Sequence, residues 1–221
     1  MVMVMADERW YQLVIIWLRD PAKFQEYAEA LAPVVTRYGG MADQVFTPTA
    51  IHPHGLELPD VVNLVHYDTK QAFTAFSADP AFHRIRHLRE ESIDMLAFGG
   101  RMRQRMPAVV TAERVFGIEI ARFRGGDPAA YRRYEAEGEP VMRSHGFHVD
   151  YVLDLDADLD DSPASQRYDL VKVSSFPSLR DKAGFERDPA HDRIETSLYP
   201  AAIDNVIWLD AVATAPLQAI T

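Results

Sequence analysis

Histidine is the side chain whose ordinary pKa lies nearest neutrality, so the eight histidines are the first candidates for general acid or base work. His66 stands out among them. It closes the run VVNLVHY, and a period of two puts it on the face of Val62 and Leu64, the face expected to meet the helices and border a pocket. A place at a strand end leaves plain exposure as the alternative. Glu119 and Lys172 interrupt two otherwise apolar runs and are expected on a sheet-to-sheet face. There they would form a docking ion pair or a catalytic acid with a cationic partner. His52 and His54 flank a proline and offer two imidazoles, short of the three or four ligands a stable site needs, so no metal is assigned. The acidic run Asp154, Asp156, Asp158, Asp160, Asp161 has Leu159 where a calcium loop needs glycine and Ser165 where it needs glutamate. It reads as a solvated hairpin loop.

Other chemistries are excluded by residue type. The sequence has no cysteine, which removes disulfides, thiolate catalysis and thiolate-ligated metals together. There is no Gly-rich phosphate loop, no Gly-x-Ser-x-Gly elbow and no dinucleotide fingerprint. A net charge of -10 without a dense Lys/Arg run argues against nucleic acid as a partner. No apolar run approaches the roughly 18 residues of a membrane span, and no signal-peptide pattern opens the chain, so a cytoplasmic location without membrane attachment is expected.

The elements that would position these residues come in two similar sets. FSADPAFHRI from Phe76 aligns with FERDPAHDRI from Phe185 at a shift of 109 residues. Asp20-Pro-Ala with Phe24 and Tyr27 aligns with Asp127-Pro-Ala with Tyr131 and Tyr134 at 107, and Ile93-Asp94 with Ile203-Asp204 at 110. Three ordered anchors at nearly one shift imply duplication. The expected division is a first repeat over 10–102, a linker over 103–113 and a second repeat over 114–212.

Within the first repeat, Tyr11 to Leu18 reads as a strand apolar on both faces, with Val14, Ile16 and Leu18 expected to pack on another sheet. Asp20-Pro21 caps an amphipathic helix that stops at Tyr38-Gly39-Gly40. Strands follow from Gln44 and over Val61 to Tyr67, then helices opened by Thr69 and by Asp79-Pro80, and a last strand from Ile93. The order βαββαβ is the ferredoxin-like unit, so the fold class is α+β: two such units packed sheet to sheet as a pseudo-twofold barrel within one chain.

The βαββαβ order, the duplicated units, the Arg37-Tyr38-Gly39-Gly40 helix end and the Asp-Pro-Ala segments together resemble the dimeric α/β-barrel superfamily over nearly the whole chain. The chain is most similar to small-domain members of unknown function, and more distantly to polyketide-cyclase-like members such as plant olivetolic acid cyclase. That cyclase carries a His-Pro-Ala-His element whose last histidine is catalytic, and Asp188-Pro189-Ala190-His191 stands in its place here, which implies a catalytic His191. The first repeat has Phe82 at the same position, and the cyclase's partner tyrosine has no assured counterpart.

The resemblance implies a cofactor-free lyase, isomerase or cyclase that moves a proton on a small apolar or aromatic acid through His191 or His66. Trp17, Tyr27 and Phe76 are candidate walls of an apolar pocket, and Ser175, which the repeat aligns with His66, a candidate ligand contact. Two alternatives stand beside it: a non-catalytic ligand-binding or assembly protein, and a haem-dependent enzyme like other tandem members, for which no axial histidine can be singled out. The sequence therefore leaves catalysis itself open and assigns no cofactor; the expected partner is a small molecule, and self-association is left open.

Overall fold

The computed structural model describes residues 8–52, 56–156 and 168–214; His54, Asp158, Leu159, Asp160, Asp161 and Ser165 lie outside them. The elements follow from local chemistry. β1 (Trp10–Leu18) is the apolar run at the start. α1 (Pro21–Arg37) follows, then β2 (Met41–His52), β3 (Val61–Tyr67), α2 (Lys70–Ser77), α3 (Pro80–Ser92) and β4 (Ile93–Arg105). The second half repeats the plan with β5 (Val115–Phe123), α4 (Pro128–Ser144), β6 (His148–Leu155), β7 (Leu170–Phe176), α5 (Leu179–Glu186), α6 (Pro189–Ser197), a one-turn α7 (Tyr199–Ala202) and β8 (Ile203–Thr214).

Four Asp-Pro-Ala segments start four of the helices in the same way. Asp20, Asp79, Asp127 and Asp188 are N-caps whose carboxylates accept from the backbone N–H of the alanine two residues on, with proline in the first turn where no N–H is missed. α1 and α4 end alike, at Gly39 (φ +68°) and Gly146 (φ +72°), the left-handed conformation that glycine adopts without strain.

The eight strands form one closed antiparallel barrel in the order β1-β3-β2-β8-β5-β7-β6-β4. It divides into two ferredoxin-like sheets, β4-β1-β3-β2 and β8-β5-β7-β6, joined at the seams β2/β8 (Val45 opposite Thr214) and β4/β6 (Arg105 opposite Tyr151). Closure leaves no free sheet edge, which removes the row of unpaired backbone groups that otherwise invites aggregation. The sheet-to-sheet packing within one chain is as the sequence indicates. Lys70 at the start of α2 also reaches Asp156 of the second half at 2.7 Å, and Arg103 pairs with Asp154 at 3.4 Å, so the two described carboxylates of the acidic run are held by cations. Among the described residues no helix is long and apolar enough to cross a membrane.

Three apolar layers result. The barrel interior is filled by Tyr11, Leu13, Ile15, Phe46, Val62, Leu64, Phe98, Phe116, Ile118, Ile120, Leu153, Val171, Val173 and Leu209. Outside the barrel, one layer packs the first-half helices on their sheet (Trp10, Val34, Tyr67, Phe76) and another packs the second-half helices on theirs (Tyr131, Tyr134, Leu170, Phe176, Phe185, Ile194). This corrects the expected faces. Val62 and Leu64 look into the barrel, so His66 does too, while Val14, Ile16 and Leu18 lie on the opposite face of β1 from Leu13 and Ile15 and turn toward the helices. Glu119 and Lys172 likewise lie on the helix side, not between the sheets. The reason is simple. Strands apolar on both faces show which residues share a side but carry no mark of which side the helices cover.

Candidate functional site in the second helix-sheet layer

The strand residues on the helix side of the second sheet are unlike their first-half partners. Where β1 and β3 have Val14 and Asn63, β5 and β7 place Glu119 and Lys172 directly opposite each other, their side chains 1% and 3% exposed. The Lys172 ammonium lies 2.8 Å from Glu119, 3.5 Å from Glu135 and 5.0 Å from the centre of the Tyr131 ring. It donates to the Tyr131 hydroxyl at 2.6 Å, and that hydroxyl donates to Glu119 at 2.8 Å. Tyr199 donates to the other Glu119 oxygen at 3.0 Å. Burial opposes the charge on Lys172, but the carboxylates of Glu119 and Glu135 outweigh it and hold its pKa above the ordinary lysine value. Burial and the Glu119 charge push the Tyr131 hydroxyl well up, so it stays a donor.

Beside this network a cavity of about 170 Å³ opens between α4, α5, α6, α7 and the sheet. Its walls include Phe147, Phe176, Phe185 and Trp208, with Tyr134, Lys172, His191, Glu195 and Tyr199 as polar groups. His191 is carried on α6 against Phe185, ring centres 3.9 Å apart. Its Nε2 lies 3.7 Å from Glu195, one turn further along the helix, and its Nδ1 is buried without a partner. Burial lowers the His191 pKa, against the pull of Glu186, Asp188 and Asp192, so the ring is neutral at neutral pH. Glu195 accepts from Tyr134 at 3.2 Å, and burial with the nearby Glu119 charge raises its pKa. The cavity thus holds a neutral imidazole beside a carboxyl group, with two phenols whose hydroxyls are engaged by Glu195 and Glu119.

Trp208 forms part of the floor because position 117 is glycine. A Cβ there would sit 2.7 Å from the Trp208 ring, and the indole N–H is fixed by Asp210 at 3.0 Å. Gly117→Ala is therefore expected to displace the indole, shifting its N–H signal in an NMR spectrum and destabilising the fold by about 1–3 kcal/mol in a denaturant titration. An unchanged indole signal would place the floor elsewhere.

The other residues singled out from sequence are dispersed. His66 faces the barrel interior beside Tyr11, with its Nδ1 3.2 Å from the buried carboxylate of Asp43, so it does not border a helix-sheet pocket. Ser175 is buried at the corresponding place in β7, where Arg114 donates to its hydroxyl at 2.9 Å. Trp17 packs against the barrel interior and donates to the Glu57 carbonyl at 2.9 Å. Tyr27 and Phe76 belong to the first helix-sheet layer, where burial pushes the Tyr27 hydroxyl up to about 12 and Phe76 packs on Tyr67 and Phe82. Of the six, His191 alone is among the residues lining the cavity. Sequence reasoning passed over Glu195, Tyr199 and Trp208 and used Tyr134 only as an anchor of the repeat. Glu195 could have been found, since four residues after His191 on a helix is the same face.

A haem does not fit here: about 170 Å³ is below the roughly 300 Å³ at which pockets for drug-sized ligands begin, and a porphyrin is larger than those. Among the described residues no group of three or more His, Asp or Glu could hold a metal ion.

Comparison with known proteins places the scaffold. A search of curated proteins returned no match. Among solved structures, an anthrone oxidase-like protein superposes with a TM-score of 0.64 at 10% identity, over 96% of this chain and 94% of the other. A mutant chlorite dismutase from Candidatus Nitrospira defluvii gives 0.60 at 12%, over 98% and 95%. A protein from Fusobacterium nucleatum, provisionally called a monooxygenase, gives 0.59 at 8%, over 96% and 94%. At such identities the likeness is one of fold. In sequence, residues 10–98 match a family model described as a domain of unknown function, DUF1330. The chain thus shares the eight-stranded α/β-barrel fold of these structures, and its first ferredoxin-like unit is similar in sequence to DUF1330.

Proposed function

We propose that the chain is a cofactor-free enzyme of the lyase, isomerase or cyclase kind, which moves a proton on a small apolar or aromatic substrate held in the second helix-sheet cavity. The observation that carries this reading is His191: a neutral imidazole on an aromatic wall, with Nδ1 buried and unpartnered and Nε2 turned toward Glu195. Nδ1 is shut off by burial, so the ring proton sits there and Nε2, on the side of Glu195, is the basic nitrogen that takes the substrate proton. The imidazolium that forms is stabilised by Glu195 at 3.7 Å, a carboxyl group that the Tyr134 hydroxyl holds in place by donating to it at 3.2 Å. The cavity is about the size of an apolar protein cavity that takes up benzene, roughly 150 Å³, so a single ring is the fitting scale.

The superfamily scaffold hosts unrelated reactions, and the monooxygenase, chlorite dismutase and anthrone oxidase names of its relatives do not decide this one. Proton exchange does. Single-ring compounds that raise the melting temperature would be incubated with the protein in D₂O and followed by NMR. Deuterium entering a carbon position of a bound compound, in the native protein and not in His191→Phe, is the expected result. Binding without exchange at any position would make the chain a ligand-binding protein instead.

A further inference from the structure

The cavity is aromatic, and its charged surroundings are lopsided. Its two wall lysines are already matched: Lys172 by Glu119 and Glu135, and Lys182 by Glu186 and by Asp210 at 3.0 Å. Glu195 then stands as a further carboxyl group with no lysine or arginine paired to it in the described structure, its side chain 41% exposed and so within a ligand's reach. Five carboxyl groups thus stand around two ammonium groups. An entering carboxylate would meet surplus negative charge and no free cation. A cation would meet Glu195 in a wall built largely of aromatic rings, Phe147, Phe176, Phe185, Tyr134, Tyr199 and Trp208, whose faces attract positive charge.

We propose that the cavity takes a small organic amine in its protonated form, with the apolar body against the Phe and Trp walls and the ammonium group toward Glu195. The inference rests on the reading of the cavity as the substrate site and narrows it: the ligand is a cation, not the aromatic acid that the sequence resemblance implies.

Benzylamine, benzyl alcohol and benzoate share one ring and differ in charge, so they test the proposal on the native protein by calorimetric titration at neutral pH. The expected order is benzylamine tightest, by about tenfold over benzyl alcohol, with benzoate weakest. Glu195→Gln is expected to reduce the benzylamine advantage several-fold while leaving benzyl alcohol binding in place, which also reports that the variant is folded. Benzoate binding as tightly as benzylamine, equal affinity of amine and alcohol, or no binding by any of the three overturns the proposal. The first two outcomes leave the proton-transfer reading standing, because deuterium exchange is scored independently of ligand charge. Loss of exchange with benzylamine still bound would do the reverse.

Discussion

Lys172→Met is expected to destabilise the fold by about 3–5 kcal/mol, because it leaves the Glu119 carboxylate, 1% exposed, without its cation and the Tyr131 hydroxyl without its donor. For a chain of this size that is a fall in melting temperature of roughly 6–20 °C. The same physics predicts that the loss belongs to the broken pair and not to the pair's net worth. Glu119→Val with Lys172→Asn and Tyr131→Phe installs the residues that the internal alignment places at those positions in the first half, Val14, Asn63 and Phe24, and it removes both charges of the buried pair, leaving only the part-exposed Glu135. This triple variant is expected to recover most of the loss, since removing both buried charges of the pair as a unit leaves neither one uncompensated. The Tyr199 hydroxyl loses its acceptor in the triple variant, which sets a residual deficit of about 1–3 kcal/mol. Urea titrations of the two variants decide the matter. If the triple variant is less stable than Lys172→Met, the network supports the fold through its hydrogen bonds and the first-half solution is not transferable.

His191→Phe is the second large effect. Phe82 occupies the aligned place in the first half and packs on Phe76 at 4.5 Å between ring centres, much as His191 packs on Phe185, so the substitution is expected to fold. Proton exchange on a bound substrate is expected to fall by about 10²–10⁴-fold, the usual contribution of one positioned base. The pH dependence has a definite sign. The His191 pKa is lowered in the fold by burial, so as pH drops below the unfolded value of about 6.5 the unfolded chain gains a proton that the folded chain resists. Native stability therefore declines there with falling pH, and the decline levels off once the folded pKa is passed. The groups facing the ring are Glu186, Asp188, Asp192, Glu195 and His145, and they are the same in the variant, so the difference between native and variant stability isolates His191. The native protein is expected to lose stability relative to His191→Phe as pH falls from 6.5 toward 5. A difference that stays flat across that range would mean that the imidazole is as free to protonate in the fold as out of it, which removes the basis for a neutral base.

How the sequence related to the structure is clearest at particular residues. Asp20, Asp79, Asp127 and Asp188, each followed by Pro-Ala, mark helix starts by local chemistry alone, and the strands are short apolar runs, so the order of elements and the closed barrel were legible without coordinates. Glu119 and Lys172 were legible as partners too, because charges that interrupt matching apolar runs need each other; they stand opposite in register 2.8 Å apart. What alternation along a strand could not supply is the side on which the helices lie. Val62, Leu64 and His66 share a face whichever way the sheet is turned, and only packing put that face inside the barrel, taking His66 and Ser175 away from any helix-sheet pocket and moving Glu119 and Lys172 into one. The cavity itself is a tertiary object. Tyr134, His191, Glu195, Tyr199 and Trp208 come from three helices and a strand and meet only when those pack together, so no spacing along the chain could announce the group. The sequence did hold one pointer: Val14, Asn63, Phe24 and Phe82 are replaced in the second half by Glu119, Lys172, Tyr131 and His191, four polar changes that the fold gathers in one layer around one cavity. Sequence alone determined the elements, their caps and the barrel, because those depend on local capping and on burial of apolar runs; the tertiary structure decided which polar residues meet, because that depends on which way each sheet faces and how closely three helices approach it.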